Sequence, residues 1–287
     1  MQVLYLHEAK PQKRQAIALG YFDGGHIGHE KILRAARDAM SDGCESAVFS
    51  FPSLPTKSGA PLLSLDDRLA FFEKNGIQNV FLAPFDSVRD LSAFAFVEEI
   101  LKTRLRARMA LCGFNYRFGR GAEGDSGLLC RLLPESTVFP PTLYKDEAIS
   151  ATRIRSALLA GEVEDAAQML GRCYSVKGEV VHGEARGRTI GVPTANVIAN
   201  VLLPRFGVYK TEVRFDGKVF TALSDVGIRP TVTGDALPRI ETHIPDFSED
   251  LYGKQIEISF LSFLREEKKF PSLDALRAQI ALDIQKL

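Results

Sequence analysis

The sequence predicts an α/β domain built on a parallel sheet, followed by a small antiparallel β-barrel with a terminal helix. Up to about residue 133, short apolar runs alternate with amphipathic segments, which is typical of parallel strands joined by crossover helices. After Cys173, turn signals separate several strand-like segments, as in a barrel. A length of 287 residues suits two domains, which we place at residues 1–170 and 171–287.

The first domain is predicted to alternate strands with helices. The predicted strands are 15–19, 46–51, 78–83 and 107–112, and the predicted helices are 28–40, 64–75, 92–103, 150–158 and 163–170. Ser64 is expected to cap the second of these helices, with Asp67 at the third helical position. Because ligands of parallel sheets bind beyond the carboxyl ends of the strands, the loop after residue 19 is a candidate binding site.

The second domain is predicted to be rich in strands. They are expected at 174–181, 207–215, 219–226, 240–245 and 255–264. A helix follows Pro271 and Ser272. One face of it is kept apolar by Leu273, Leu276, Ile280, Ile284 and Leu287.

The composition excludes several classes of protein. Lys plus Arg and Asp plus Glu both total 36, so the net charge of zero argues against a general nucleic-acid or membrane-surface binder. No apolar run approaches the roughly 18 residues of a membrane span, and the first residues do not resemble a signal peptide. Four widely spaced cysteines without a CxxC pair indicate reduced, mostly buried thiols in a cytosolic protein.

A glycine-rich turn with two histidines follows the first predicted strand, in LGYFDGGHIGHEKILR (19–34). The backbone N–H groups of such a turn and the N-terminus of the next helix favour an anion. His26 and His29 could together stabilise the charge that develops as a phosphoanhydride opens. The alternative is an ordinary turn with surface histidines.

Two later segments carry groups that suit phosphate. ISATRIRSALLAGEVEDA (149–166) places Arg153 and Arg155 at a helix start, where they could grip a polyphosphate or could simply be solvated. In VVHGEARGRTIGVPTANV (180–197), glycines and arginines could wrap phosphates, and the oxygens of Thr194 and Asn196 suit magnesium. A polar β-turn is the alternative for this second segment.

A kinase site would also need a carboxylate that takes a proton from the substrate alcohol. Glu241, in RIETHIPDF (239–247), lies in a predicted strand and is the candidate. The alternative is a surface glutamate.

Together these segments resemble one family. HxGH at 26–29, TRIR at 152–155 and GFNYRFGRGAEGD (113–125) are similar to signatures of the nucleotidyltransferase superfamily, and specifically of bacterial bifunctional riboflavin kinase/FAD synthetase. GRTIGVPTAN, SDVGIRPTV, ETHIPDFSEDLYGK and FLREEKKF resemble the riboflavin kinase module in order and spacing. The resemblance implies a Rossmann-like nucleotidyltransferase domain followed by a riboflavin kinase-like barrel.

The resemblance also implies residue roles. In the first domain, His26 and His29 would contact the ATP phosphates, Asn115 would hold nucleotide or magnesium, and Arg155 would steady the phosphates. In the second, Thr194 and Asn196 would bind Mg²⁺ and ATP, Glu241 would activate the ribityl 5′-hydroxyl of riboflavin, and the segment around Arg265 would close over the flavin. The remaining expected nucleotide contacts are Asp23, Gly24, Thr152, Arg153, Gly187 and Arg188. His182 and His243 are expected to be structural.

The first domain departs from the family pattern at three places. Tyr21 stands where the family usually has Asn, and Gly25 where it usually has Val. SFPSLPTKSG (50–59) lacks the Asp and His of a TFDPHP-like run. Two alternatives therefore stand beside a bifunctional enzyme, namely a riboflavin kinase with a degenerate first domain and a non-catalytic flavin-binding regulator. The expected ligands are riboflavin, FMN, FAD, ATP and Mg²⁺. The protein is expected in the cytoplasm, and neither nucleic acid nor membrane is expected as a partner.

Overall fold

The chain forms two compact units, Met1–Ala151 and Thr152–Leu287. A computed structural model describes residues 1–53, 59–182, 192–230 and 236–287, with side chains omitted at 41–42, 229–230 and 236–238. Among the helices in those ranges, none has both the length and the apolar character needed to cross a bilayer.

The first unit is built on a six-stranded sheet in which every neighbouring pair is parallel. The strands are β1 Gln2–Tyr5, β2 Gln15–Leu19, β3 Glu45–Ser50, β4 Asn79–Leu82, β5 Ala107–Gly113 and β8 Thr137–Phe139, in the order β1-β4-β3-β2-β5-β8. The four predicted strands are confirmed at the centre of the sheet. The two edge strands were not predicted, because β1 is mostly exposed and β8 has only three residues.

Helices cover both faces of this sheet, and each face has its own apolar cluster. They are α1 Ile27–Asp38, α2 Leu65–Lys74, α3 Ala93–Ala95, which continues as a wider π-helix over Phe96–Arg104, and α4 Ser126–Leu132. Short 3₁₀ turns occupy Ala39–Asp42, Phe85–Ser87 and Arg120–Ala122. The predicted cap is confirmed: Ser64 Oγ accepts the Asp67 N–H at 3.1 Å and donates to the Asp67 carboxylate at 2.7 Å.

Two small hairpins complete the first unit. Strands β6 Arg117–Phe118 and β7 Gly124–Asp125 pair within the 113–125 segment, and β9 Leu143–Tyr144 pairs with β10 Glu147–Ala148. The first of these hairpins therefore gives the predicted glycine-flanked loop a defined shape next to the end of β5.

The second unit begins with two helices, α5 Ala151–Ala160 and α6 Val163–Leu170, and then forms a closed antiparallel barrel. The strands are β11 Tyr174–Val181, β12 Ala195–Ile198, β13 Gly207–Phe215, β14 Lys218–Pro230, β15 Ala236–His243 and β16 Gln255–Arg265, in the order β11-β12-β15-β14-β13-β16. Five of these were predicted as strands. The sixth, β12, has only four residues and begins inside the PTAN segment, at Ala195.

The two helices before the barrel account for a difference from the predicted boundary at residue 170. Helix α6 packs on β11 and β16, and the Arg205 N–H donates to the Leu158 carbonyl of α5 at 2.9 Å. Both helices therefore belong with the barrel by their contacts, and the compact units divide at Ala151 instead.

A chain of hydroxyl groups crosses the barrel interior. The hydroxyl of Ser224 lies 2.8 Å from those of both Thr211 and Thr242, so the chain joins β13, β14 and β15. All three side chains are fully buried or nearly so. Because strand side chains alternate, Thr242 on the inner face directs its neighbour Glu241 to the outer face.

The terminal helix, α7 Leu273–Ile284, is capped by Ser272, whose Oγ accepts the Ala275 N–H at 3.2 Å. Of the predicted apolar face, Leu276, Ile280, Ile284 and Leu287 are half-buried. Leu273, in the first turn, is 61% exposed, so the buried part of that face begins at Leu276.

The most buried side chain of α7 is a carboxylate. Asp283 is fully buried and accepts from Arg265 Nε at 2.7 Å and from Gln279 Nε2 at 2.9 Å. An ion pair with β16 therefore fixes this helix on the barrel.

We expect Thr242→Val to lower the free energy of unfolding by roughly 1–3 kcal/mol, because the isosteric change leaves the buried Ser224 hydroxyl without one partner. Denaturant unfolding followed by circular dichroism measures this. Thr221→Val, on the exposed face of β14, is the matched control and should change stability by less than about 0.5 kcal/mol. Equal effects of the two substitutions would contradict the role of the hydroxyl chain.

Candidate active sites

The turn between β2 and α1 has an unusual backbone. Phe22, Gly24 and Gly25 all have positive φ values, of 60°, 76° and 52°. A Cβ on Gly25 would lie 3.1 Å from ring atoms of Phe71 on α2. Both the left-handed backbone and the packing of Phe71 therefore favour glycine at this position.

The two histidines of this turn lie against each other. Their rings stack with centroids 3.5 Å apart, and the His29 and Phe22 rings form an edge-to-face pair with centroids 5.1 Å apart. His26 is the N-cap of α1, since its Nδ1 accepts the His29 N–H at 3.2 Å. A neutral His26 that accepts at Nδ1 carries its proton on Nε2. The structure thus brings together the two histidines that the sequence singled out, at the N-terminus of a helix.

The Asp23 carboxylate accepts hydrogen bonds from backbone N–H groups. Its Oδ1 accepts the N–H groups of Leu62 and Leu63 at 2.9 and 3.2 Å, which ties the turn to the residues before α2. Gly24 lies next to it in the same turn. For Asp23, the structure therefore shows a role in fixing the turn.

Sequence reasoning missed Arg68, the buried cation of this region. Arg68, on α2, is only 1% exposed. Its Nη1 donates to the Tyr21 carbonyl at 3.1 Å and to Ser50 Oγ at 3.2 Å, and its Nη2 to the carbonyls of Phe51 and Pro52 at 3.0 and 2.7 Å. The guanidinium also lies 4.1 Å from the centroid of the Tyr21 ring. Burial lowers the pKa of Arg68, partly offset by Tyr21 and Asp23.

The order of the sheet brings three loops side by side. Strand β2 lies between β3 and β5, so the histidine turn, the segment after Ser50 and the loop after Gly113 leave adjacent strand ends. Asn115 is exposed in the last of these loops. Asp125 closes that loop as the N-cap of α4, accepting the Leu128 N–H at 2.7 Å, and this bond lowers the pKa of its carboxyl. A ligand beyond this edge would meet all three loops.

The TRIR residues lie in the first turns of α5, in the second unit. Thr152 is exposed, Arg153 and Arg155 are half-buried, and Ile154 between them is fully buried. The buried isoleucine orients this turn, and the phosphate contacts expected of Thr152, Arg153 and Arg155 stay predictions.

In the barrel, strand register aligns three polar side chains. Asn196 on β12 pairs with Glu241 on β15, and Glu241 pairs with Asp225 on β14. Directly opposed residues of antiparallel strands have side chains on one face, about 4.5–5.5 Å apart at Cβ. The matching inner-face row contains Ala195, Thr242 and Ser224. Sequence reasoning missed Asp225, although it lies in SDVGIRPTV, where the family's segment has Asn.

Several contacts lie next to this row of polar side chains and involve residues that the sequence singled out. Thr194 immediately precedes β12, and the ring Nδ1 of His243 lies 2.9 Å from the Pro193 carbonyl, to which it donates. His182 stacks on Tyr252 with centroids 3.7 Å apart. Gly187 and Arg188 lie outside the described residues, so their predicted phosphate contacts are not tested here.

The oxygens of this region form a donor set that suits magnesium. Thr194 offers a hydroxyl, Asn196 an amide carbonyl, and Glu241 and Asp225 carboxylates, all hard ligands of the kind that Mg²⁺ prefers. Across the described part of the chain, no group of three or more His, Cys, Asp or Glu forms a metal site. A metal ion bound by these residues would therefore take its remaining ligands from phosphate oxygens.

A cleft of about 350 Å³ lies in the same unit. Its lining is Phe220, Thr221, Ile244, Pro245, Ile284 and Leu287. Ile244 follows Glu241 by three residues, and Ile284 adjoins Asp283, the partner of Arg265. Arg265 thus pairs with Asp283 in the last turn of α7. Its contact with flavin stays a prediction.

Comparison with known proteins agrees with this division of sites. Residues 8–153 match the family described as FAD synthetase, and residues 170–287 match the family described as riboflavin kinase. A solved structure titled as a macrolide-efflux protein from Streptococcus pneumoniae is 30% identical, with a TM-score of 0.90, and the match covers 99% of this chain and 98% of that one.

Curated relatives match over almost the whole chain. Bifunctional riboflavin kinase/FMN adenylyltransferases from Listeria monocytogenes and Pseudomonas fluorescens are 34% and 35% identical, covering 99% and 97% of this chain and 96% and 94% of the relatives. The protein of that name from Escherichia coli K12 is 34% identical, covering 95% of this chain and 91% of the relative. With an FAD synthetase match before a riboflavin kinase match and these relatives along nearly its whole length, this chain belongs to the bifunctional riboflavin kinase/FMN adenylyltransferase family.

Proposed function

We propose that this chain makes FAD from riboflavin in two steps. The second unit transfers the γ-phosphoryl group of ATP to the ribityl 5′-hydroxyl of riboflavin, giving FMN and ADP. The first unit transfers AMP from a second ATP to the phosphate of FMN and releases pyrophosphate. The observation that carries this proposal is that each of the two matched regions has its own cluster of polar side chains, the histidine turn in one and the Asn196–Glu241–Asp225 row in the other.

In the kinase step, Glu241 acts as the general base. Its carboxylate takes the proton of the 5′-hydroxyl as that oxygen attacks the γ-phosphorus and the bond to the β-phosphate oxygen breaks. Thr194 and Asn196 would hold Mg²⁺ with the ATP phosphates, and Asp225 adds negative charge beside the metal. When bound, Mg²⁺ neutralises charge on the transferring phosphoryl group. The hydroxyl chain behind β15 keeps Glu241 on the outer face during the reaction.

The cleft at the end of β15 suits the flavin ring. Its volume lies in the range of roughly 300–1,000 Å³ that is typical of small-molecule sites, and most of its lining side chains are apolar. An isoalloxazine bound between Phe220 and the α7 residues Ile284 and Leu287 would direct its ribityl chain along β15 toward Glu241. Arg265 supports this wall of the cleft through its ion pair with Asp283.

In the adenylyl transfer step, a phosphate oxygen of FMN attacks the α-phosphorus of ATP and pyrophosphate leaves. No covalent enzyme intermediate is needed, because positioning and electrostatics supply the catalysis. His26 and His29 stabilise the developing charge at the positive end of α1. Asn115 is proposed to bind the nucleotide, with Asp23 and Gly24 shaping the turn.

The family match favours this bifunctional function over both alternatives. The kinase-only alternative depends on the 50–59 run, of which residues 54–58 are outside the described part of the chain. The non-catalytic alternative would require loss of site residues, whereas Glu241, Thr194 and Asn196 are all present. We place the protein in the cytoplasm, because four free thiols without a disulfide suit a reducing compartment.

We expect purified protein given riboflavin, ATP and Mg²⁺ to accumulate first FMN and then FAD, as separated by liquid chromatography. Supplying FMN and ATP alone should give FAD and an equal amount of pyrophosphate. FMN without FAD would identify a kinase with a degenerate first domain, and the absence of both products would refute the proposal.

Glu241→Gln should reduce FMN formation by about 10²- to 10⁴-fold, because the amide cannot accept the hydroxyl proton. FAD formation from supplied FMN should stay within twofold of the parent, since that step uses the other domain. Glu179→Gln, on an exposed position of β11, is the control and should leave both rates unchanged. FMN formation at the parent rate in Glu241→Gln would exclude this residue as the base.

His29→Asn should reduce FAD formation from FMN by about 10²- to 10³-fold, because a neutral amide cannot supply the positive charge that an imidazolium offers to the developing negative charge. Phosphorylation of riboflavin by the same preparation should not change. His7→Gln, at a largely exposed side chain, provides the comparison. The assignment fails if both histidine variants form FAD at the same rate.

A further inference from the structure

The contacts of Arg68 are not those that best stabilise a fold. A buried charge is costly unless it is paired, and an apolar side chain of similar volume often serves stability at least as well. Within the described residues, no carboxylate oxygen lies within 4 Å of this guanidinium, and its buried Nε has no hydrogen-bond partner. Its acceptors are three backbone carbonyls and one hydroxyl. The position therefore calls for an explanation other than stability.

The Arg68 guanidinium joins two loops at the carboxyl ends of neighbouring strands. Its planar group reaches the main chain directly after β2 and directly after β3, which are neighbouring strands. The first of these segments leads into the turn with His26 and His29, and the second forms the adjoining wall of the crevice. Asp23 adds a second tie, from the same turn to the residues that precede α2. Both ties run through α2 and its N-terminal approach.

Two of the departures from the family pattern meet at this side chain. Tyr21 contacts Arg68 through its carbonyl and through its ring, and Phe51 and Pro52 of the altered 50–59 run contact it through their carbonyls. A carbonyl contact does not depend on the side chain that the residue carries. Arg68 can therefore hold the main chain after β3 in place even though the Asp and His of a TFDPHP-like run are absent.

We propose that Arg68 is a positioning residue for adenylyl transfer, which aligns the histidine turn with the segment after β3. The inference rests on the proposed FAD synthesis by this domain. The reaction joins an FMN phosphate oxygen to the α-phosphorus of ATP, so its rate depends on how accurately the loops at the strand ends place the two substrates. A displacement of about 1 Å at such a site can cost 10²-fold in rate.

The test compares Arg68→Met, Arg68→Lys and the control Arg89→Met in the full chain. Arg89 is an exposed arginine of the same unit, paired with Asp86. Arg68→Met should lower kcat for FAD formation about 30- to 100-fold, with the KM for ATP within threefold of the parent. Arg68→Lys, which keeps the charge but reaches fewer acceptors, should recover about tenfold of that loss. Arg89→Met should match the parent, and kinase activity should be unchanged in all three variants.

Hydrogen exchange provides a readout that does not require activity. Peptides covering 20–25 and 50–53 should exchange faster together in Arg68→Met and not in Arg89→Met. The Gly20 N–H, which donates to the Phe49 carbonyl, and the Gly25 N–H, which donates to Phe22, report directly on these loops. Assays are run well below the melting temperature of the first unit, and rates are expressed per folded protein measured by circular dichroism.

Several results would overturn the proposal. One is a kcat in Arg68→Met within twofold of the parent. Another is an equal loss of kcat in Arg68→Met and Arg68→Lys that disappears once the rates are corrected for folded protein. That result would indicate a purely structural role for Arg68. Unchanged exchange in both loops would also exclude it. If instead the parent forms no FAD, the proposed function fails while the exchange comparison still decides whether Arg68 aligns the two loops.

Discussion

Both candidate sites depend on the hydrogen-bonded register of neighbouring strands. In the first unit, pairing of β2 with β3 and β5 makes three separate loops leave the sheet at adjacent points. In the second, pairing of β15 with β12 and β14 lines up an amide and two carboxylates across the strands. A slip by one residue would turn Glu241 into the barrel and bring Thr242 to its outer face. Backbone pairing therefore determines chemistry in two unrelated folds.

Buried polar groups secure that register, and each of them has partners that come from distant parts of the chain. The hydroxyls of Thr211, Ser224 and Thr242 lock three barrel strands against sliding, because each must stay opposite its acceptor. The Arg265–Asp283 pair does the same for the terminal helix, and Arg68 for two loops of the first unit. Apolar packing supplies the stability of both units, whereas these polar contacts select one arrangement of it.

Much of this organisation could be predicted from sequence because it is local. Residues 15–19, 163–170 and 174–181 have the observed boundaries, and Ser64 caps its helix as its spacing indicated. Short or exposed strands such as β1 and β12 lack a clear apolar period and were missed. Arg68 was missed for a different reason: its partners lie 16 to 47 residues away, and nothing in SLDDRL shows that this arginine, unlike its charged neighbours, is buried. Asp225 was missed for a similar reason, because only the strand register sets it opposite Glu241.

The packing of Gly25 on Phe71 has a consequence for comparison across the family. With a φ of 52° and the Phe71 ring 3.1 Å from an added Cβ, Val at position 25 would strain the turn backbone and require the ring of residue 71 to shift. The two sites are therefore expected to vary together during evolution, as an epistatic pair. A homologue with Val at this position is expected to build the turn with a different backbone. The turn in this chain is then expected to be one of two ways in which the family presents the histidine pair.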